Sequence, residues 1–343
     1  VRERPEGVGD EDVRHALAAW GIGSSVSLEY APVGFGDYHW IATVPPAQGP
    51  PAGRKWFVTV ADLAAKEYLG TGPDAAYRGL TRAMDTAVHL REHGGLDFVV
   101  APVRAAEGGG TVRRLGARHA VGVLPFVPGA PGHFGQSLTP GARHRVIDLL
   151  ARLHQAEPPA SLPVAPAALP QRAGLEQALD DALSDAPDDR AARRRGGPFG
   201  ERARALLSAH AGVLRARLAE LDRLTGELDG HRHVVTHGEP HPGNVLTLRD
   251  RSMLIDWDTV GLAPPERDLW HVAEAPADLD RYAEATGHRP DRSLLDGYRL
   301  RWALDDVAAF AGWFRAPHDG GPDSEQAWAG LRDTVAWLAS TPA

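Results

Sequence analysis

The sequence predicts a two-lobed α+β fold, with a strand-rich N-terminal part carrying one helix and a mainly helical C-terminal part. Three observations predict it. Short β-branched and aromatic runs, punctuated by glycine and proline, crowd the first 125 or so residues. Helical amphipathic spacing dominates after Gly129 and is interrupted by short strands only once. The chain has 343 residues, more than one hydrophobic core usually holds, since single cores stop growing near about 250–300 residues.

The elements follow in order. Ser25–Tyr30, Tyr38–Val44 and Lys55–Val60 read as strands. Ala75–Glu92 has helical spacing, with Ala83, Ala87, Val88 and Leu90 on its apolar face. Phe98–Val103 and Ala120–Phe126 read as further buried strands, closing a meander on VGVLPFVPG. Pro140–Gln155 is an amphipathic helix with Val146, Leu149, Leu150 and Leu153 on one side. Residues 186–200 are charged and rich in proline and glycine, an exposed connection, and Glu201–Leu228 is a long helix. Val234–Leu262 returns to short strands, the remainder is helical, and no internal repeat is present.

Composition narrows the function classes. A hydrophobic content of 43% and a charged content of 24% are those of a soluble globular protein. A net charge of −8 offers nothing to steer the chain toward nucleic acid or an anionic membrane, while it suits a cationic small molecule. The absence of cysteine excludes disulfides, thiolate metal sites and a cysteine nucleophile. No apolar run approaches the roughly 20 residues of a membrane span, and the first residues lack the apolar stretch of a signal peptide. A cytoplasmic protein with a small-molecule partner is expected, its oligomeric state left open.

The chemistry concentrates in VVTHGEPHPGNVLTLRDRSMLIDWDTVGLAPPERDLW, residues 234–270. Two apolar strands, Leu246–Leu248 and Ser252–Ile255, flank Arg249–Arg251 and read as a hairpin. Its ends bring Glu239 and Asn244 close to Asp256 and Asp258. Carboxylates brought together out of water repel, so the cluster needs a cation. Magnesium with a nucleoside triphosphate suits such hard oxygen ligands.

The run resembles the aminoglycoside phosphotransferase family, whose loop reads H-G-D-x-x-x-x-N and whose metal strand ends in I-D-W-D. The matching residues are His237, Gly238, Glu239 and Asn244, then Ile255, Asp256, Trp257 and Asp258, with Glu266–Leu269 closing the motif. The five-residue step from Glu239 to Asn244 is that of a kinase catalytic loop. Phe126–Pro140 and residues 256–269 are most similar to the spectinomycin phosphotransferase branch. The resemblance implies a protein-kinase-like fold with a nucleotide-binding lobe at 1–122, a hinge at 123–129, and a catalytic and substrate-binding lobe at 130–343. It implies magnesium on Asn244 and Asp256, with Asp258 either a further metal carboxylate or a strand-end cap. It implies Glu239 accepting or orienting the acceptor hydroxyl, Gly34 and Gly36 beneath the phosphates, and the backbone of Val123 and Phe126 beside the base of ATP or GTP. His237 reads as a brace of the loop, and Arg267 and Asp268 as structural residues.

Two departures matter. Glu239 stands where the family has Asp, and one methylene moves the carboxylate by about 1 Å, enough to cost roughly 10²-fold in rate unless the backbone absorbs it. The lysine that kinases place on the third strand, paired with a helix Glu, is replaced by Thr59, and the helix offers Arg82 and Asp85 instead. Arg82 is the candidate phosphate ligand or else a solvated helix charge; Lys55 and Lys66, the chain's two lysines, are the alternatives to it, each read first as an outward-facing surface lysine. Candidate partners for substrate ammonium groups are Asp305 and Asp306, with Asp180, Asp181 and Asp185 as alternatives. The function expected is transfer of a γ-phosphate to a hydroxyl of a small polar molecule, an aminoglycoside or aminocyclitol antibiotic. The alternatives are a relative that binds nucleotide or a small molecule without transfer, or one that uses the fold for another transfer reaction.

Overall fold

Alternating burial along five strands builds the N-terminal sheet of the computed structural model, which describes residues 3–34, 36–45, 53–184, 197–226, 231–249 and 251–341. After helix α1 (Asp10–Leu17) come β1 (Ser27–Ala31), β2 (Tyr38–Val44), β3 (Arg54–Asp62), α2 (Pro73–Glu92), β4 (Val112–Leu115) and β5 (His119–Pro125). The strands pair antiparallel in the order β1-β2-β3-β5-β4. On β3, Trp56, Val58 and Val60 enter a core shared with Val13 and Leu17 of α1, Trp40 of β2 and Val121 and Val123 of β5. The next residue, Ala61, points to the other face and packs with Ala76 and Leu80 of α2. Thr59 shares that second face.

The chain then runs through β6 (Ala130–Pro131), α3 (Pro140–Leu153), α4 (Arg172–Leu183), α5 (Gly200–Gly226), β7 (Val234–Thr236), β8 (Val245–Leu248) and β9 (Arg251–Leu254). It ends with β10 (Gly261–Ala263), the short helix α6 (Glu266–Leu269), α7 (Pro276–Thr286), α8 (Arg292–Arg315) and α9 (Pro322–Ser340). β6, β8 and β9 form one small sheet and β7 pairs with β10 in another. Two compact units result, Val1–Ala165 with Arg232–Pro290, and Pro166–His231 with Asp291–Ala343. The second unit is α4, α5, α8 and α9 around a leucine- and alanine-rich core that includes Leu175, Leu179, Leu214, Leu304, Leu331 and Leu338. Residue 122 and the segment 123–129 both lie inside the first unit.

The α+β architecture and the hairpin β8–β9 agree with the sequence reading; three elements differ. Phe98–Val103 is not a strand. It makes a single parallel bridge, Val99 to Leu254. The Leu254 N–H donates to the Phe98 carbonyl at 2.9 Å and the Val103 N–H to the Val123 carbonyl at 2.7 Å, so the segment crosses between sheets. Its apolar run is buried as a strand's would be, and Pro102 has no N–H to extend a ladder. The N-terminal part holds a second helix, α1, unread because only Val13 and Leu17 of it are buried. Strand β4 was also unread, its VRRL sequence carrying one buried residue. Asp185, most of the 186–200 connection and the end of the helix expected to reach Leu228 lie outside the described residues.

Candidate active site

The loop after β7 has no ladder to hold it, and its backbone is held by one carboxylate. Asp268, fully buried at the C-terminal half of α6, accepts the His237 N–H at 2.7 Å on one oxygen and the Gly238 N–H at 2.7 Å on the other. His154, at the end of α3, reaches the same carboxylate at 3.1 Å and is itself held by the Tyr282 hydroxyl at 2.8 Å. Burial pushes the Asp268 carboxyl up, but the His154 hydrogen bond and the surrounding positive charge outweigh it and hold it below the ordinary range. Arg267 donates to Thr236 Oγ1 at 2.7 Å and to the Thr259 carbonyl at 2.8 Å. Gly238 turns at φ 101°, and a Cβ there would lie 2.5 Å from Arg267 Nη2.

His237 completes the brace. Its Nδ1 accepts the Glu239 N–H at 3.3 Å, so Nε2 carries the proton and donates to the Ile255 carbonyl at 2.8 Å. Burial holds the ring's pKa below its ordinary value, as a neutral ring in this role requires. The loop then makes a 3-10 turn at Pro242–Asn244. The Asn244 side-chain NH2 donates to the Glu239 carbonyl at 3.0 Å, and the Asn244 carbonyl accepts the Ile255 N–H at 3.0 Å. The residue pair that sequence brings together is thereby tied at the backbone, with Asp256 next in the chain.

Asp256 adopts φ 64°, the left-handed region that a non-glycine residue enters at a cost of about 1–3 kcal/mol. The residue itself is solvent-exposed, yet the protein crowded around its carboxyl, then the neighbouring Asp258 charge, pushes that carboxyl well above the usual range. Asp258 moves the other way: burial opposes ionisation, but Lys66 at 2.7 Å and the Tyr68 hydroxyl at 2.5 Å hold it low. The solvent-exposed Asp256 carboxylate, the neighbouring Asp258 and the orphaned Asp37 Oδ1 form a hard-oxygen set short of positive charge. This fits a magnesium ion. Among the described residues no three His, Asp or Glu side chains cluster to hold a metal alone, and magnesium ordinarily takes one or two carboxylates and completes its shell with phosphates and water.

Lys66 corrects the sequence reading. Expected to face outward, it is 5% exposed, with Nζ 2.7 Å from Asp258, 3.1 Å from Asp37 and 3.2 Å from the Tyr68 hydroxyl. Burial pulls its ammonium down, but Asp258 and then Asp37 outweigh that and hold it well above its ordinary value. Lys55 is exposed, its ammonium 5.4 Å from the Phe126 ring. Tyr68 and Asp37 carry no site reading in the sequence, and Lys66 carries one only as an alternative to Arg82. Asp37 follows the G-x-G directly, and lysine occurs only twice in the chain; these were the available signals.

The remaining expected residues are placed as follows. Gly34 and Gly36 lie between β1 and β2 at φ 72° and 99°. Thr59 Oγ1 is 3.2 Å from His39 Nδ1. Arg82 is exposed on α2, and Asp85 accepts from Thr111 at 3.0 Å and lies 3.8 Å from Arg104. Val123 is fully buried, its carbonyl engaged by Val103, while Phe126 is half-buried. Asp305 and Asp306 are half-buried on α8 of the second unit, where burial pushes the Asp305 carboxyl up against the pull of Arg301. Asp180 pairs with Arg215 at 2.5 Å, and Asp181 pairs with Arg315.

Three comparisons bear on this arrangement. Residues 46–316 match the model of the phosphotransferase enzyme family. The chain is 34% identical over 247 residues to Protein StrN of Streptomyces griseus, covering 70% of this chain and 72% of that one. Its fold is that of spectinomycin phosphotransferase APH(9)-Ia, solved with ADP and spectinomycin, at a TM-score of 0.72 and 16% identity over 98% and 99% of the two chains. A microcompartment-associated aminopropanol kinase shares the fold at a TM-score of 0.59 and 15% identity over 96% and 97%.

Proposed function

We propose that this chain, which belongs to the phosphotransferase enzyme family and is a small-molecule kinase, moves the γ-phosphate of ATP or GTP to a hydroxyl of an aminocyclitol or aminoglycoside. The observation that carries the phosphoryl-transfer part is the Ile255 N–H to Asn244 carbonyl bond at 3.0 Å. It ties the backbone of Asn244 to that of Ile255, the residue before Asp256, at the end of a braced loop, which supports Asn244 and Asp256 acting as neighbouring ligands. Asn244 and Asp256 would hold magnesium, which when bound neutralises the β- and γ-phosphate oxygens. Asp258, anchored by Lys66 and Tyr68, keeps negative charge behind Asp256.

Glu239 is the group for the acceptor. It is half-buried, one peptide beyond the Gly238 turn, and close enough for its charge to raise the Asp256 carboxyl. Its carboxylate orients the hydroxyl for in-line attack and takes the proton as the new O–P bond forms. In a loosely bonded phosphoryl transition state, positioning and electrostatics supply most of the acceleration, which is why the loop is braced from four sides. Gly34 and Gly36 would let the backbone approach the phosphates, with residues 1–122 serving the nucleotide, 123–129 the hinge and 130–343 the catalytic loop and acceptor. Asp305 and Asp306 are the proposed partners of substrate ammonium groups. The spectinomycin bound by one structural relative and the similarity of Phe126–Pro140 to that branch support an aminocyclitol.

Magnesium-dependent ATP and GTP turnover against a panel of aminocyclitols, aminoglycosides and small metabolite alcohols tests the reading. Turnover that needs one of these acceptors and vanishes in Asp256→Ala supports it and names the acceptor class. Turnover with the metabolite alcohols alone overturns the antibiotic assignment, and no turnover with any acceptor overturns the whole.

A further inference from the structure

The position that kinases reserve for a phosphate-holding lysine is held here by Thr59, whose hydroxyl is engaged with His39 at 3.2 Å. Arg82 on α2 is exposed, and Asp85, the acidic group of that helix, is turned to Thr111 and Arg104. Neither half of the usual pair stands on these elements. Yet a lysine ammonium is buried at the junction of the glycine-bearing loop and the metal strand. Lys66 Nζ lies 3.1 Å from Asp37, the residue after Gly36, and 2.7 Å from Asp258, two residues after Asp256.

The backbone that delivers Lys66 is pinned. It sits between two single 3-10 turns, Leu63–Ala65 and Glu67–Leu69. Leu63 is in the core, and its N–H donates to the Arg118 carbonyl at 2.9 Å. Asp62, at the end of β3, accepts the Ala64 N–H at 3.0 Å and is clamped by Arg118 at 2.6 Å. Three donors serve three acceptors: Asp258, Asp37 and the Tyr68 hydroxyl. Of these, Asp37 is the poorest fixture. It lies in a loop whose glycines take positive φ, and its second oxygen is buried without a hydrogen-bond partner. An incoming phosphate oxygen carries more charge and displaces it readily.

Resting on the kinase reading above, we propose that Lys66 is the phosphate-holding lysine of this enzyme, displaced from β3 to the segment behind it. Its ammonium holds the β-phosphate of the nucleotide, giving up Asp37 while keeping Asp258. Lysine suits this exchange because it is a flexible point charge with three donors, whereas arginine would need a planar fork of acceptors.

Calorimetric binding of ADP and AMP to the wild type, Lys66→Met and Lys66→Met/Thr59→Lys tests it, since the two nucleotides differ only in the β-phosphate. The wild type is expected to prefer ADP, and Lys66→Met to lose about ten- to a hundred-fold of that preference, the worth of one hydrogen bond to a charged group. AMP affinity stays within about threefold, a split that a merely structural lysine would not produce. Thr59→Lys, restoring a lysine on β3, recovers part of the preference. An unchanged ADP preference in folded Lys66→Met overturns the inference and leaves the kinase reading standing; a wild type that binds neither nucleotide overturns both.

Lys66→Met leaves buried carboxylates without a cation and can fail to fold. The wild type then decides, because it has only two lysines. An ATP carrying an acyl group on its terminal phosphate is attacked at the carbonyl by a nearby amine. An amide C–N bond forms, the acyl–oxygen bond breaks, intact ATP leaves and the amine proton passes to solvent. At alkaline pH, peptide mass spectrometry is expected to find the acyl group on Lys66. Acylation of Lys55, or of neither lysine, overturns the inference.

Discussion

Asp268→Asn tests whether one buried carboxylate holds the catalytic loop. The two peptide N–H groups of His237 and Gly238 each reach a different oxygen of Asp268 at 2.7 Å. Asparagine is nearly isosteric but has one oxygen, so its NH2 must face one of those N–H groups, donor against donor. A charge-assisted bond contributes about 1.5–3 kcal/mol, and a buried N–H left unsatisfied costs about 1–3 kcal/mol. These overlap, so the expected loss of stability is about 3 kcal/mol by urea unfolding at neutral pH. The loop carries Glu239, and a displacement of about 1 Å at that carboxylate lowers kcat by roughly 10²-fold. The nucleotide KM should change less, because, of the residues proposed to serve the nucleotide, only Asn244 lies on that loop.

The pH dependence gives a second reading of the same substitution. The folded-state pKa of Asp268 is depressed, so its contribution is fully present above the unfolded carboxylate value of about 4 and is lost as pH falls through the folded value. The stability gap between wild type and Asp268→Asn should therefore be flat from pH 8 to about 4 and narrow below it. A loss under about 1 kcal/mol together with kcat within threefold would refute the brace, since neither can be small if Asp268 fixes both peptides.

Three further outcomes follow from the geometry. Gly238→Ala combines φ 101° with a Cβ 2.5 Å from Arg267 Nη2 and 2.7 Å from Thr259 Oγ1, so it should cost about 2 kcal/mol or more in a urea titration; a cost below 0.5 kcal/mol contradicts the turn. Asp256→Gly and Asp256→Ala should both abolish transfer, but the glycine variant should be the more stable by about 1 kcal/mol, because only glycine takes φ 64° freely. Equal unfolding midpoints for the two would remove the case for backbone strain. Burial pushes His39 to about 3 and His241 to about 4, so both stay neutral in the fold while the unfolded chain protonates below about pH 6.5. Stability should fall as pH drops from about 6.5 to 4, by up to about 1.4 kcal/mol per pH unit for each ring. The double variant His39→Gln/His241→Gln should flatten that slope in pH-resolved urea unfolding, and an unaltered slope would show that these rings are charged in the fold.

The parts of the site legible in the sequence are those whose spacing the backbone enforces. Glu239 to Asn244 and on to Asp256 spans one loop and one hairpin, and a two-stranded antiparallel pair leaves little choice about where its ends meet. The same holds for β2, read at Tyr38–Val44 and found there, where side chains alternate between the Trp40–Ala42 core positions and half-buried neighbours. Phe98–Val103 was misread because an apolar run reports burial and not hydrogen bonding. Its N–H and C=O groups are satisfied by crossing contacts to Leu254 and Val123, which only the assembled fold supplies. Asp268 reads from its motif only as a structural residue; that it braces the loop, with a partner His154 lying 114 positions away in the chain, could not be inferred from periodicity.

Lys66 was legible only as an alternative, for a different reason. A strand position such as Thr59 is judged by what stands at that position, whereas a lysine ammonium lies several bonds from its Cα and can be delivered from a neighbouring element. What fixes the site is the charge there, not the residue number that supplies it. Asp37, Asp256 and Asp258 are three carboxylates whose fields reach one another, and Lys66 is the cation within hydrogen-bond reach of two of them. Ionising all three in the absence of further positive charge is unfavourable, which is why the protein crowded around it and its neighbours push Asp256 up while Asp258 stays low. A neutral Asp256 relieves the imbalance in the fold as it stands, and under the proposed function a magnesium ion would relieve it instead. A carboxylate trio with one lysine is an unbalanced ion cluster, and in the proposed metal–phosphate site the left-handed Asp256 would be the strain that the balance of charge sustains.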